Sequence, residues 1–213
     1  MNKYKNIVWD WNGTLLDDLQ VGVLTLNKML EHRNLLPLTT ADYKDNFGFP
    51  VNDFYEKIGF DFSKESLHDI SVEFVEVYES YEHKSRLNPE AMEVLGNMKD
   101  NGKRQYILSA LREKMLKHEV DHLGIDSFFT AVYGSDNIYA EGKIARGKQF
   151  VTETGIIPSE TVMIGDTLHD AEVASALGFD CILYSGGHNS RSRLEATGLP
   201  VVDSLKDVKD LLI

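Results

Sequence analysis

At 213 residues the chain is long enough for one large domain, or for a core with a small insertion. Its net charge of −12 at pH 7 repels nucleic acid and anionic membrane surfaces. The same field would repel a phosphate, so a phosphate site would need local cations or a metal. The single cysteine, Cys181, excludes an internal disulfide framework. There is no apolar signal core, and no apolar run reaches the roughly 18 residues of a membrane span. A soluble cytoplasmic protein is expected, with neither nucleic acid nor membrane as partner.

The first element is a buried strand over residues 4–10, ending in Asp10 and passing at once into the turn Asn12-Gly13-Thr14. After Asp18 the period changes. Leu19, Val23, Leu26 and Leu30 make one helical apolar face, and Ile70, Phe74, Val77 and Tyr81 make another, expected to be core. Gly48-Phe49-Pro50 and Gly59 punctuate shorter segments between them. Residues from about 16 to 85 therefore read as helical, with no convincing strand.

From Asn88-Pro89 a helix start leads to a stop at Asn101-Gly102. A strand over 105–108 ends at Ser109-Ala110, and a helix over about 112–123 closes at Gly124. A short strand follows at 131–133, then a helix from about 144 to Gly155. The strand at 161–164 ends at Gly165-Asp166, and a helix over 169–177 stops at Gly178. A strand at 181–184, a short helix, a strand near 200–202 and a helix begun by Ser204 complete the chain. Alternating strands and helices imply an α/β, Rossmann-like parallel sheet covered on both faces. The all-helical block interrupts that series after the first strand. The expected organisation is a core of residues 1–15 and 86–213 with an inserted helical cap of residues 16–85.

Asp10, Ser109 and Asp166 each follow an apolar strand directly. In an open parallel sheet, strand ends of this kind lie together at the carboxyl edge, where ligands bind. Any one of them alone would read as a turn or helix cap; the three together point to a site.

On these residues the chain resembles the haloacid dehalogenase-like phosphatases, in the helical-cap branch of phosphoglycolate phosphatase and β-phosphoglucomutase. The first motif of that family, Asp-x-Asp-Gly-Thr-Leu after a strand, is matched by Asp10-Trp11-Asn12-Gly13-Thr14-Leu15. Ser109 matches the second motif and Lys143 the third, with Lys148 as rival. Gly165-Asp166 with Asp170 matches the fourth. The resemblance implies a small phosphorylated metabolite as substrate, phosphoglycolate-like or a sugar phosphate, and Mg²⁺ as cofactor. It makes Asp10 the nucleophile, forming an aspartyl-phosphate. The metal would sit on Asp10, Asp166, Asp170 and the Asn12 carbonyl, because Mg²⁺ takes hard oxygen ligands. Ser109, the Ala110 N–H and Lys143 would bind phosphoryl oxygens. Thr14 would do the same or fix the turn.

Asn12 departs from that pattern. Phosphatases of the family usually carry Asp there, to protonate the leaving oxygen and then activate water. Asn does neither, and loss of such catalysis typically costs about 10²–10⁴ in rate. The expectation is a slowed phosphatase; the alternatives are a phosphate-holding regulatory protein, a phosphomutase, or carbon–halogen or carbon–phosphorus chemistry. Deamidation of Asn12-Gly13 would restore the usual motif. Asp17, Asp18, the 46–50 turn and Arg86 are candidates for substrate contact from the cap, and His169 and His188 carry no assigned role.

Overall fold

The four residues of β1 (Asn6–Trp9) are all buried, and alternate ones serve two separate cores. Ile7 and Trp9 enter one apolar cluster and Val8 the other, as a strand covered on both faces requires. β1 pairs in parallel on both sides, with β4 (Arg104–Arg112) and with β6 (Thr161–Gly165). With β5 (Ala131–Ser135), β7 (Asp180–Tyr184) and β8 (Val201–Val202) these strands make a six-stranded sheet in the order β5-β4-β1-β6-β7-β8. The computed structural model describes residues 3–136 and 142–213.

One face of the sheet is covered by α5 (Ala91–Asp100), α6 (Glu113–His122) and α10 (Leu205–Leu212), which bring Leu95, Leu116 and Val208 against Ile7 and Trp9. The other face takes α7 (Lys143–Thr154), α8 (Leu168–Leu177) and α9 (Arg191–Glu195), through Phe150, Val173 and Leu194. Fully burying side chains of this size contributes about 1.5–3 kcal/mol each.

The helical insertion consists of α1 (Leu19–His32), α2 (Thr40–Asn46), α3 (Val51–Lys57) and α4 (Leu67–Tyr81). Capping boxes at Thr39/Asp42 and Ser66/Asp69 start α2 and α4, which satisfies otherwise unpaired N–H groups. A third core built on Leu26, Met29, Leu30, Phe54 and Ile70 holds these helices together.

Two expectations about local structure need correction. The insertion is joined to the sheet by a two-stranded antiparallel ribbon, β2 (Leu16–Asp17) with β3 (Arg86–Leu87), and β2 falls where no strand was expected. Two residues are too few to display the alternation that marks a strand. β4 also runs past Ser109 to Arg112, through a register shift between Leu108 and Arg112. Among the described residues, no helix is long and apolar enough to cross a membrane.

Chain order reverses around β1, with β4 on one side and β6 on the other. Asp10 and Asp166 follow the carboxyl ends of β1 and β6, and Ser109 sits at the register shift of β4, on the edge where open α/β sheets bind ligands.

Candidate active site

Asp10 extends β1 by one residue: its N–H donates to the Ile164 carbonyl at 2.8 Å. The chain then turns tightly, with the Gly13 N–H on the Leu16 carbonyl and the Leu16 N–H on the Trp11 carbonyl, both at 2.9 Å. Neither bond uses the Asn12 carbonyl. Gly13 has φ +76°, and a Cβ there would stand 2.3 Å from Asp166 Oδ2. The turn thus needs glycine both for conformation and for space. Gly165 is required by space alone, since a Cβ there would stand 2.3 Å from Asp170 Cγ.

Lys143, the first residue of α7, reaches back under the strand ends. Its ammonium donates to Asp10 Oδ1 at 2.5 Å and to Asp170 Oδ1 at 2.6 Å, and it is 3% exposed. Asp170 Oδ2 accepts the Thr167 N–H at 3.0 Å and hydroxyl at 2.7 Å, closing the capping box of α8. Asp166 accepts the Thr14 hydroxyl at 2.7 Å and the His188 N–H at 2.6 Å. One oxygen from each of Asp10, Asp166 and Asp170 lies within 4.8 Å of the others, and all three residues are buried.

Three carboxylates thus cluster with one ammonium that pairs with two of them, and the imbalance is visible in the acidities. Burial, then the neighbouring Asp170, holds the Asp10 carboxyl well above the usual range against the pull of Lys143. Burial likewise raises Asp166, to about 6. Asp170 is held low: burial works against it, but Lys143 and the Thr167 donors outweigh burial. Lys143 is raised, because Asp10 and Asp170 overcome the cost of burying its charge. A buried, all-oxygen cluster with spare negative charge fits a hard divalent cation such as Mg²⁺.

A second network lies beside the first. The Asp18 carboxylate accepts four donors: the Gly13 N–H at 2.8 Å, the Asn12 amide at 2.8 Å, the Tyr78 hydroxyl at 2.8 Å and His188 Nε2 at 3.2 Å. His188 Nδ1 faces the Tyr43 hydroxyl at 2.9 Å. Burial opposes charge on His188, yet Asp18 outweighs it and pushes the imidazole up to about 9. Asp18 is correspondingly held low against its own burial, chiefly by His188. An ionised carboxylate only accepts, so the nitrogen of the Asn12 amide must be the atom facing it.

Above Asp10 and Lys143 lies a cavity of about 200 Å³ between cap and core. Ser109, Ala110 and Arg112 contribute from the end of β4; Phe47, Phe54 and Phe74 contribute from the cap. Ser109 is buried and its Oγ accepts the Leu111 N–H at 3.0 Å. Of the cap candidates, Asp18 and two members of the 46–50 turn, Phe47 and Phe49, line the cavity. Asp17 and Arg86 face each other in the ribbon and are exposed.

The structure brings together Asp10, Asn12, Ser109, Ala110, Lys143, Asp166 and Asp170. Lys148 is exposed on α7 and does not line the cavity. Thr14 is fully buried and donates to Asp166, the turn-fixing alternative of the two expected for it, and it does not line the cavity. His169 lies in the first turn of α8, its ring 4.6 Å from that of Phe49. Phe74 differs from expectation, for it packs in the cap core and lines the cavity as well. His188, Tyr43 and Tyr78 were not assigned from sequence, and no local pattern marks residues that meet only after folding.

A family model described as haloacid dehalogenase-like hydrolase matches residues 7–184. A phosphoglycolate phosphatase of Caulobacter vibrioides is 28% identical over 209 residues, covering 95% of this chain and 88% of that protein. Phosphoglycolate phosphatase 1 of Pseudomonas aeruginosa is 24% identical over 137 residues, 63% of this chain but only 50% of its own length. The fold is shared with a predicted phosphatase from Clostridium acetobutylicum, with TM-score 0.80, 19% identity and 98% of each chain covered.

Proposed function

The chain belongs to the haloacid dehalogenase-like hydrolases, and from that footing we propose a Mg²⁺-dependent phosphatase that acts on a small phosphomonoester through an aspartyl-phosphate on Asp10. The observation that carries this reading is the contact between Asp10 and Lys143 at 2.5 Å, with Asp166 and Asp170 beside them.

Lys143 holds Asp10 by Oδ1, and Oδ2 accepts no hydrogen bond from a described residue. That oxygen attacks phosphorus. The bond from phosphorus to the ester oxygen breaks, and its electron pair leaves with that oxygen. Lys143 offsets the charge gathered on Asp10 and the phosphoryl oxygens, in a buried site where a fixed charge counts for more than in water. Ser109 and the Ala110 N–H orient the phosphoryl group. Asp10, Asp166 and the Asn12 carbonyl would hold Mg²⁺, with Asp170 beside them. When bound, the ion supplies positive charge against the repulsion between carboxylate and phosphate. Water then attacks phosphorus, Asp10 is regenerated and inorganic phosphate leaves.

Position 12 supplies neither the proton for the departing oxygen nor a base for that water. A slowed enzyme that holds its phosphoryl group is the second reading, favoured by the fixed amide of Asn12. Phosphate release from a panel of phosphate esters with Mg²⁺ tests the first. The proposal expects multiple turnovers by the wild type and none by Asp10→Asn; stoichiometric uptake without turnover would favour the second.

A further inference from the structure

We propose that the site is built for an aryl phosphate, a phosphomonoester whose leaving group is a phenol-like ring seated in the cavity over Asp10. The inference rests on the phosphatase reading and names its substrate class.

The walls of the cavity come first. The cap lines it with Phe47, Phe49, Phe54, Tyr55, Phe74 and Tyr78, among others, and none of the cap residues that line it is Lys, Arg or His. The rings are already packed against one another, Phe47 on Tyr43 at 5.0 Å and on Phe54 at 5.3 Å. The volume of about 200 Å³ exceeds the roughly 150 Å³ of an apolar cavity known to take one benzene ring. A ring there would meet faces and edges at the distances aromatic pairs favour.

The cations come second. Lys143 is committed to Asp10 and Asp170 and His188 to Asp18, while His169 faces Glu172 through Nδ1 at 3.0 Å and leaves its buried Nε2 without a hydrogen-bond partner among the described residues. Among the described residues of the lining, the one arginine is Arg112, exposed at the end of β4. A substrate carboxylate reaching into the cap, as a phosphorylated hydroxy acid would place it, meets aromatic rings and no lysine, arginine or histidine of the cap. Burying a charge unpaired is costly.

The missing proton comes third, from a separate part of the site. The Asn12 amide is fixed on Asp18 and cannot protonate a departing oxygen. Asp18 cannot take over, because its carboxylate already accepts four donors. With no proton from position 12 or from Asp18, a leaving group able to depart as its own anion is favoured. A phenol, with a pKa of about 10, departs far more readily than an oxygen as basic as water, at about 15.7. The electron pair of the broken phosphorus–oxygen bond goes to the phenolate, which then takes a proton from solvent.

The test compares phenyl phosphate, 2-phosphoglycolate and acetyl phosphate with Mg²⁺, in wild type, Phe74→Leu, Phe74→Ala and Arg112→Ala. Acetyl phosphate also has a good leaving group but no ring, so it reports on Asp10 chemistry alone. The proposal expects phenyl phosphate to exceed 2-phosphoglycolate in kcat/KM by about 100-fold. It expects the ratio of phenyl to acetyl phosphate to fall about 10-fold in Phe74→Ala; Phe74→Leu, which keeps the cap core filled, should lower the same ratio. Cleavage of acetyl phosphate with no preference for phenyl phosphate would overturn the aryl assignment and leave the phosphatase reading standing. A preference for 2-phosphoglycolate that is lost in Arg112→Ala would overturn it too, and identify Arg112 as a carboxylate anchor. Failure with all three substrates would overturn both.

Discussion

The Asn12 amide donates to the Asp18 carboxylate at 2.8 Å, so the position where the family usually places its acid–base carboxyl is tied to a carboxylate that is already ionised. A second carboxyl in that place would lie against a like charge, and one of the two would have to hold a proton. Asn12→Asp is therefore expected to raise steady-state phosphate release about 100-fold or more. It should also lower thermal stability above neutral pH, because an acid whose folded pKa is raised loses its stabilising proton as pH rises. Phosphate assays and melting curves between pH 5 and pH 9 check both effects. Equal turnover in wild type and variant would mean that another group supplies the proton.

The same tether bears on deamidation. The Gly13 N–H that would attack the Asn12 side chain is bonded to the Leu16 carbonyl and to Asp18, and the amide itself is held on Asp18. Peptide mapping of aged protein should find Asn12 intact while Asn101, in the exposed Asn101-Gly102 sequence, is converted.

The buried acids should show themselves as a cation site. Mg²⁺ at about 100 times its Kd is expected to raise Tm by about 5–10 °C, since a ligand that binds only the folded chain stabilises it by mass action. Asp166→Asn should abolish most of that rise. A shift of the same size in the variant would place the ion elsewhere.

A pH effect on stability follows from Glu119. Its carboxyl accepts the Trp11 indole N–H at 2.6 Å, and burial pushes it up to about 7, with Glu82 and Asp18 adding to the effect. The folded chain holds this proton more tightly than the unfolded one. The stability it contributes is present below about pH 4.5 and is lost as pH rises through about 7. Glu119→Gln keeps an acceptor for the indole and removes the titration. It should be about 2 kcal/mol more stable than wild type at pH 8, and no more stable at pH 4, in urea denaturation.

What the sequence made legible follows from how local each signal is. Asp10 and Asp166 could be found because an apolar strand delivers each into a turn, and sheet topology then brings strand ends together. The family pattern asks for a lysine, and position separates Lys143 from Lys148, which sits inside the helix and too near Gly155; a lysine at a helix start carries no mark of burial. Asp18 and His188 meet 170 positions apart in sequence, and nothing near either one announces the other. The ribbon of β2 and β3 was missed because two-residue strands show no period. Phe74 read as core because a helical stripe tells which face is buried, but not whether a cavity lies against it.

The central claim is that Asp10 carries the phosphoryl group. The most direct measurement is intact mass and peptide mapping of protein quenched within milliseconds of mixing with Mg²⁺ and acetyl phosphate. The account predicts a phosphoryl adduct on Asp10 that outlasts the first turnover and is absent in Asp10→Asn. Phosphate release by Asp10→Asn at the wild-type rate, with no adduct on the wild type at any time, would contradict it.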